Sequence, residues 1–570
     1  MRTENVPTFP SSKSVLNADM NLQLDEQLSL CKKAVALQKH SLDSVARSLA
    51  QKVQKDGKIS GEAFNCIQVE SMQLARALAE HAALVGLIEY AETPSSGEFE
   101  RELSVLYASQ SIVDFAKVLL YDFDDVRTAS ISELHEFFAA ADRLNSCLTP
   151  HAWASLGKKI LERDRDLSGA LPLDDVHQQF REMFARFSDS VIEPLAEETH
   201  RKDKLISDNV LNQLADLGVF GISIPEEYGG CFVDHLVMVI ATEELSRGSL
   251  GAGGSILTRP EICAKALLAG GTDEQKKHWL PLIASGQKMV CVAVTEPNTG
   301  SDVATVAVTA SKTEKGYVLN GEKTWATFAG RAEILCLLAR TGAADSGHKG
   351  LSLFIVEKPY DPTSSDEYSF RHQQSEGGTI EGRAIPTIGY RGMHSFAVSF
   401  DNYIVPIQNL IGEEGKGFYL QMQGFAGGRI QTAARAIGVM EAAFRTAVSY
   451  VKSRKLFGKH LADFTLTQHK LAQMAAKIQA SRQLAYRVAR MMDNHEGGNE
   501  ASLVKLLACK DAEWVTREAM QLHGGMGYSE EYAVSRYFLD ARVLSIFEGA
   551  EEVLALQVVA RPYLQQFISN

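Results

Sequence analysis

Four short stretches of this 570-residue chain carry residue types that could handle a cofactor. Thr295-Glu296-Pro297-Asn298-Thr299-Gly300-Ser301-Asp302 follows the apolar run Met289–Val294. As turn formers these residues end a strand; as donors, their hydroxyls and free backbone N–H groups suit an anionic or heteroaromatic cofactor. Lys323-Thr324-Trp325-Ala326-Thr327 puts a large aromatic and a hydroxyl two residues apart, on one face of a strand. Arg454-Lys455-Leu456-Phe457-Gly458-Lys459 ends a helix, where it either caps that helix or pairs with phosphates. Gln521-Leu522-His523-Gly524-Gly525-Met526-Gly527-Tyr528 suits a helix terminus that a ligand must approach closely. Each stretch alone reads equally well as a turn or a cap. There is no HExxH, no GxSxG, no cysteine cluster with zinc spacing and no GxGxxG after a strand. Gly412–Gly417 lacks both the phosphate-loop spacing and a Ser or Thr after Lys416. No metal site is expected.

The elements that must position these stretches follow the hydrophobic period. Residues 1–15 are polar with two prolines and are expected to be disordered. From about 20 to 165 the pattern is helical, with Leu74, Leu78, Val85 and Ile88 at helical spacing and Val105, Ile112, Phe115 and Leu119 likewise. Thr93–Gly97 separates those two helices, and Thr149-Pro150 reads as an N-cap opening another. Arg163–Pro172 is the expected linker. Helical patterning resumes over 174–288, β-branched and aromatic alternation occupies 289–410, and helices return over 411–570. Asn320-Gly321 signals a two-residue hairpin, and the polar insertion 361–386 a loop or an extra hairpin. The expected fold is mainly α with a β domain, preceded by a helical extension over 1–165.

Composition narrows the partners. Lys+Arg 58 against Asp+Glu 71 leaves a net charge of −13, which argues against binding nucleic acid or anionic lipid non-specifically. No run of eighteen apolar residues suggests membrane insertion, and the first residues hold no secretory signal. The 8 widely spaced cysteines read as reduced thiols of a cytoplasmic protein.

Taken in order, GVFGISIPEEYGG (218–230), GTDEQKKHWLP (271–281), VTEPNTGSD (294–302), NGEKTWAT (320–327), RKLFGK (454–459), QLHGGMGY (521–528) and IFEGAEE (546–552) resemble the acyl-CoA dehydrogenase family. The resemblance covers about residues 174–565. It implies an α domain, a β-barrel-like middle domain and a C-terminal four-helix bundle, with FAD bound between them and across a subunit interface. It places Glu548 where many members hold the catalytic base, with Gly549 and Arg429 beside the acyl group. Thr295 and Thr327 would hydrogen-bond the flavin ring, and Trp325 would flank it. Gly300 and Ser301 would lie at the FAD pyrophosphate, Ser301 also at the CoA pantetheine. Arg454, Phe457, Gln521, Gly524 and Gly525 would contact the FAD of a neighbouring subunit. Gln468 stands in for a glutamine usual three residues earlier, where Thr465 is found. Ala550 and Glu551 follow Gly549 where a Gly-Thr pair is usual around the base, and Ala426 replaces a common acidic residue.

The extension, the segment 246–262 and GYRGMHS (389–395) direct the resemblance to a short branched diacid thioester as substrate. Its free carboxylate must not be buried unpaired. Arg247 and Arg259, in the segment that lines the acyl pocket in relatives, are the candidate partners. The resemblance further implies an electron-transferring flavoprotein as acceptor and a homo-oligomer, a dimer being favoured. The alternatives are a dehydrogenase of another short branched acyl-CoA such as isobutyryl-CoA, an oxidase of the same fold, and a flavin-free scaffold protein.

Overall fold

The computed structural model describes residues 23–121, 131–363 and 366–568; the disorder expected for residues 1–15 lies outside them. The extension consists of α1 (Leu24–Val53), a ribbon of β1 (Gln54–Lys55) and β2 (Lys58–Ile59), α2 (Gly61–Asn65), α3 (Gln68–Ala91), α4 (Glu98–Tyr121), α5 (Ile131–Asn145) and α6 (Pro150–Leu161). Thr149 does cap α6: its hydroxyl accepts from the Ala152 N–H at 3.1 Å. Leu74, Leu78 and Ile88 of α3 are buried.

The extension is built into the rest of the molecule. α6 lies so close on α14 (Thr465–Asp493) that a Cβ on Gly157 would fall 1.9 Å from the Gln468 carbonyl oxygen. Glycine is required there. The linker is pinned as well. Tyr90 Oη donates to the Ala170 carbonyl at 2.6 Å, and Ser168 Oγ donates to Glu441 at 2.8 Å. One continuous apolar interior runs from Leu28 and Leu84 through Val239 to Ile437, Met474 and Val504.

After the linker come α7 (Asp175–Phe187), α8 (Glu193–Arg201), α9 (Asp208–Asp216), α10 (His235–Gly248), α11 (Thr258–Gly270) and α12 (Asp273–Ala284). Asp234 caps α10 through the Val237 N–H at 2.8 Å, and Thr272 with Gln275 forms a capping box on α12. The strands are β3 (Val290–Ala293), β4 (Thr309–Thr313), β5 (Gly316–Thr327), β6 (Ile334–Arg340), β7 (Leu351–Glu357), β8 (Ser369–Gln373), β9 (Thr379–Ile385), β10 (Ser395–Val405) and β11 (Leu410–Ile411). Their order is β11-β7-β6-β4-β5-β10-β9-β8, with β3 parallel to β6. The insertion supplies the hairpin β8–β9.

The Asn320-Gly321 pair makes no hairpin. β5 runs straight through it, and the turn lies at Glu314-Lys315 between β4 and β5. Gly321 instead takes φ +127° opposite a bulge at Asn402, whose N–H donates to Asn320 Oδ1 at 2.9 Å. The residue types that suit a tight turn also suit a bulge, since both need positive φ.

The C-terminal part is α13 (Gly417–Ser453), a ribbon of β12 (Lys455–Leu456) and β13 (Lys459–His460), α14, α15 (Glu500–His523), α16 (Ala533–Leu544), α17 (Glu551–Val553), a π-helical segment (Leu554–Ala560) and α18 (Arg561–Gln565). α13 is the spine, packed against α10, α11, α14, α15 and α16. No helix among the described residues is long and apolar enough to cross a membrane.

Candidate active site

The loop 545–550 joins α16 to α17 and closes on itself where the Glu551 N–H donates to the Ser545 carbonyl at 3.1 Å. Glu548 sits at φ +55° and Gly549 at φ +102°. Left-handed backbone costs a non-glycine residue about 1–2 kcal/mol, so this carboxylate is held in place by its surroundings. Lys505 donates to the Gly549 carbonyl at 2.6 Å, and Ser545 Oγ to Glu513 at 2.5 Å. Glu548 is 15% exposed. Its Oε2 lies 2.7 Å from where a Cβ on Gly428 would be, so the glycine lets the carboxylate rest on α13.

Three cations surround it. The Arg435 guanidinium is wholly buried, with Nη2 3.7 Å from Glu548 Oε1. It donates to Thr432 Oγ1 at 2.6 Å and Ser255 Oγ at 3.3 Å, and lies 4.6 Å over the Phe547 ring. Burial pushes Arg429 below its ordinary value, against the pull of the Glu548 charge. Lys505 is likewise lowered by burial, with Cys509 and Glu548 opposing. Polar atoms without partners gather along the seam of α11 and α13 that Glu548 overlies: Thr258 Oγ1, Gln421 Oε1 and Nε2, Gln431 Oε1 and Arg435 Nε. An interior with this many orphaned polar groups is shaped for a polar ligand.

A second group lies at the sheet. Glu296 is buried and accepts from the Ala307 and Val308 N–H groups at 2.7 and 2.8 Å and from Lys323 Nζ at 2.8 Å. Burial lowers Lys323 to about 8, with Glu296 opposing. This staple, with the Thr324 N–H donating to the Thr295 carbonyl at 2.8 Å, sets Thr295 against Thr324, the residue before Trp325. Thr327 Oγ1 lies 2.9 Å from Ser395 Oγ. Trp325 takes φ +56° beside a register shift in β10 and is 54% exposed. An exposed indole next to hydroxyls fits a flat heteroaromatic ring. Gly300 has open space where a side chain would be, and Ser301 is exposed.

A third group stands apart. Phe457 is 89% exposed at φ +50°, and Arg454, Gln521, Gly524 and Gly525 are exposed too. Tyr450 stacks on His523 at 4.1 Å, which joins the end of α13 to the end of α15. Gln468 is partly buried and donates to the Ala462 carbonyl at 3.0 Å. The 22 residues from Gly428 to Tyr450 span about 33 Å of helix. Within one chain this group therefore cannot share a small ligand with Glu548.

Of the two arginines expected to read a substrate carboxylate, Arg247 is paired with protein carboxylates and Arg259 is held by neutral groups. Arg247 donates to Glu244 at 2.8 Å, Asp189 at 2.5 Å and the Ala185 carbonyl at 3.3 Å, so all three nitrogens face protein. Arg259 donates to the Ser255 carbonyl at 2.6 Å and Tyr390 Oη at 2.7 Å, and Tyr390 meets Phe547 edge-on at 5.3 Å. Arg259 is thus joined through Tyr390 to the Phe547 ring that lies under Arg435. Sequence reading missed Arg435. The available signal was a single charge in the uncharged run Ile430–Met440 of a buried helix.

Three family models match in succession: acyl-CoA dehydrogenase N-terminal domain over residues 174–287, middle domain over 291–403 and C-terminal domain over 415–563. The (2S)-methylsuccinyl-CoA dehydrogenase of Cereibacter sphaeroides is 37% identical over 563 residues, covering 95% of this chain and 99% of that protein. The mitochondrial isovaleryl-CoA dehydrogenase of Oryza sativa subsp. japonica is 34% identical over 399 residues, 70% of this chain and 93% of that protein. Among solved structures, butyryl-CoA dehydrogenase from Megasphaera elsdenii is 34% identical with a TM-score of 0.62, covering 68% of this chain and 98% of that one. Only the first of these three similarities is long enough to run through the helical extension.

Proposed function

The chain belongs to the acyl-CoA dehydrogenase family of FAD-dependent oxidoreductases acting on CH–CH bonds, and on that premise we propose that it oxidises (2S)-methylsuccinyl-CoA to mesaconyl-CoA. The observation that carries this reading is the cation-walled, polar interior beside Glu548, which a simple fatty acyl chain would leave unsatisfied. The similarity through the extension to the Cereibacter enzyme supports the same substrate. The oxidation belongs, on this reading, to the ethylmalonyl-CoA route of acetate assimilation.

Glu548 takes the α-proton. Its setting on Gly428, with the loop tied by Lys505, holds the carboxylate at a fixed position above α13. The backbone N–H of Glu548 is the proposed donor to the developing enolate oxygen, and Gly549 and Arg429 border the acyl group. Thr295, Thr327 and Trp325 hold the flavin ring, and Gly300 and Ser301 leave room for its pyrophosphate. When bound, FAD supplies the acceptor for the hydride that leaves the β-carbon. Arg454, Phe457, Gln468, Gln521, Gly524 and Gly525 serve, on the family resemblance, the cofactor of a second copy in a homodimer. Electrons leave to an electron-transferring flavoprotein.

The test is anaerobic mixing of the yellow holoenzyme with methylsuccinyl-CoA while the oxidised flavin band is followed. The expected result is rapid bleaching, with little from butyryl-CoA. Equal bleaching by both, or by isobutyryl-CoA in preference, overturns the substrate and keeps the family.

A further inference from the structure

We propose that Arg435 is the residue that reads the substrate's free carboxylate. The proposal rests on the reading of Glu548 as the base and names the group that selects the acyl chain. Arg435 is wholly buried, yet its hydrogen-bond partners are two neutral hydroxyls, Thr432 and Ser255, and its Nε has none. Among the described residues the one carboxylate within 4 Å of it is that of Glu548, at 3.7 Å. A buried guanidinium without a full counter-ion is costly unless a ligand brings the anion.

Geometry places that anion on the acyl chain. A base must come within about 3 Å of the carbon-bound proton it removes. The substituent on the β-carbon lies two bonds beyond, roughly 2.5–3 Å further. A carboxylate there falls within reach of a guanidinium that stands 3.7 Å from the base. The other cations are placed differently. Lys505 is engaged by the Gly549 carbonyl. Arg429 also has an unpartnered Nε but is only partly buried and donates to Ser502 at 3.4 Å. Arg259 has neutral partners too, the Ser255 carbonyl and Tyr390 Oη, but among the described residues Arg435 is the arginine within 4 Å of Glu548. Phe547 beneath Arg435 keeps the guanidinium plane fixed. Its two ends can therefore meet a carboxylate as a fork.

The experiment compares methylsuccinyl-CoA with 2-methylbutyryl-CoA, in which a methyl group replaces the carboxylate, in the native holoenzyme, Arg435→Met and Arg435→Lys. Native enzyme is expected to favour the diacid by on the order of 10²–10⁴ in kcat/KM. Arg435→Met should lose most of that preference, with KM for the diacid rising more than kcat falls, and Arg435→Lys should retain part of it. The neutral ω-amide of methylsuccinyl-CoA, tested on native enzyme, should be as poor as the methyl analogue, which probes the same contact in an unaltered protein. A native enzyme that discriminates, joined to an Arg435→Met variant that discriminates equally or to an amide that reacts normally, overturns the role of Arg435 and leaves the substrate standing. A native enzyme without preference overturns the substrate itself, and the role of Arg435 with it.

Discussion

At the scale of single residues, the proposed site turns on one strained glutamate, Glu548, and on what lets it lie where it does. Glu548→Gln should keep FAD and ligand binding while flavin reduction by substrate falls by on the order of 10³ or more, read in a stopped-flow reductive half-reaction. Near-native reduction in that variant removes Glu548 as the base. Gly428→Ala puts a methyl 2.7 Å from Glu548 Oε2 and must push the carboxylate off α13. A shift of about 1 Å is expected to lower kcat roughly 10²-fold with FAD content unchanged. Neither Glu548 nor Gly428 can be picked out from composition or period, since a lone glutamate in a helix-ending turn is ordinary. Glu548 was legible through the family resemblance alone. Arg435 was not, because its neighbours Ser255 and Glu548 are distant in sequence. Arg247 shows the converse: Glu244, three residues before it on α10, already marked it as a paired helix arginine.

At the scale of elements, the loop that bears Glu548 is braced from outside its own domain. Arg76 of α3 forms an ion pair with Glu551 at 2.9 Å, one residue past the loop. Both side chains are partly exposed, so the pair adds little to global stability. Arg76→Gln should therefore leave the melting temperature almost unmoved while kcat for flavin reduction falls several-fold, and Arg76→Lys should restore it. An unchanged kcat in Arg76→Gln shows that the brace is idle. A buried ionic cluster ties the linker to α10, α13 and α14: Arg482 donates to Glu243 at 2.8 Å, Glu441 at 3.0 Å and Ser168 at 3.1 Å. Burial alone would raise the Glu441 carboxyl, but Arg445 and Arg482 outweigh it and hold the group well below the usual carboxylate range. A depressed carboxylate contributes its stability in full above its unfolded value near 4.3 and loses it as pH falls. Glu441→Gln should thus lower stability at neutral pH and flatten the decline below about pH 4.3, measured by urea unfolding across pH. An undiminished slope places the acid sensitivity elsewhere. Helices with a clear period, such as α3 and α14, were legible in the sequence, as was the capped start of α6. The Asn320-Gly321 bulge was not, because only the pairing of β5 with the distant β10 distinguishes it from a turn.

At the scale of the molecule, the helical extension and the family fold share one interior. Removing residues 1–165 should uncover α14, α15 and the π-helical segment where α3 and α6 now lie. The truncated chain is expected to aggregate or to bind a hydrophobic dye strongly, although every proposed catalytic group remains. A soluble, stable and selective core would show the extension to be dispensable. The proposed service of Arg454, Phe457 and Gln521 to a second copy's cofactor predicts that the holoenzyme in solution is at least a dimer, checked by light scattering. The extension's interior was legible as apolar residues at helical spacing, but the surface it covers was not, because that surface is made of helices that read as ordinary bundle members. Arg76 and Glu551 are 475 positions apart, and α1 touches α18 through Asp43 and Tyr563 at 2.5 Å. On a ribosome adding about 5–20 residues per second, the first helices wait roughly 25–95 s for the last ones to emerge. Through that interval the helices of the extension can pack on one another, but the faces of α3 and α6 that meet α14, α15 and the π-helical segment lack their native cover. Slowing translation of the final hundred codons lengthens that exposure and should lower the soluble yield.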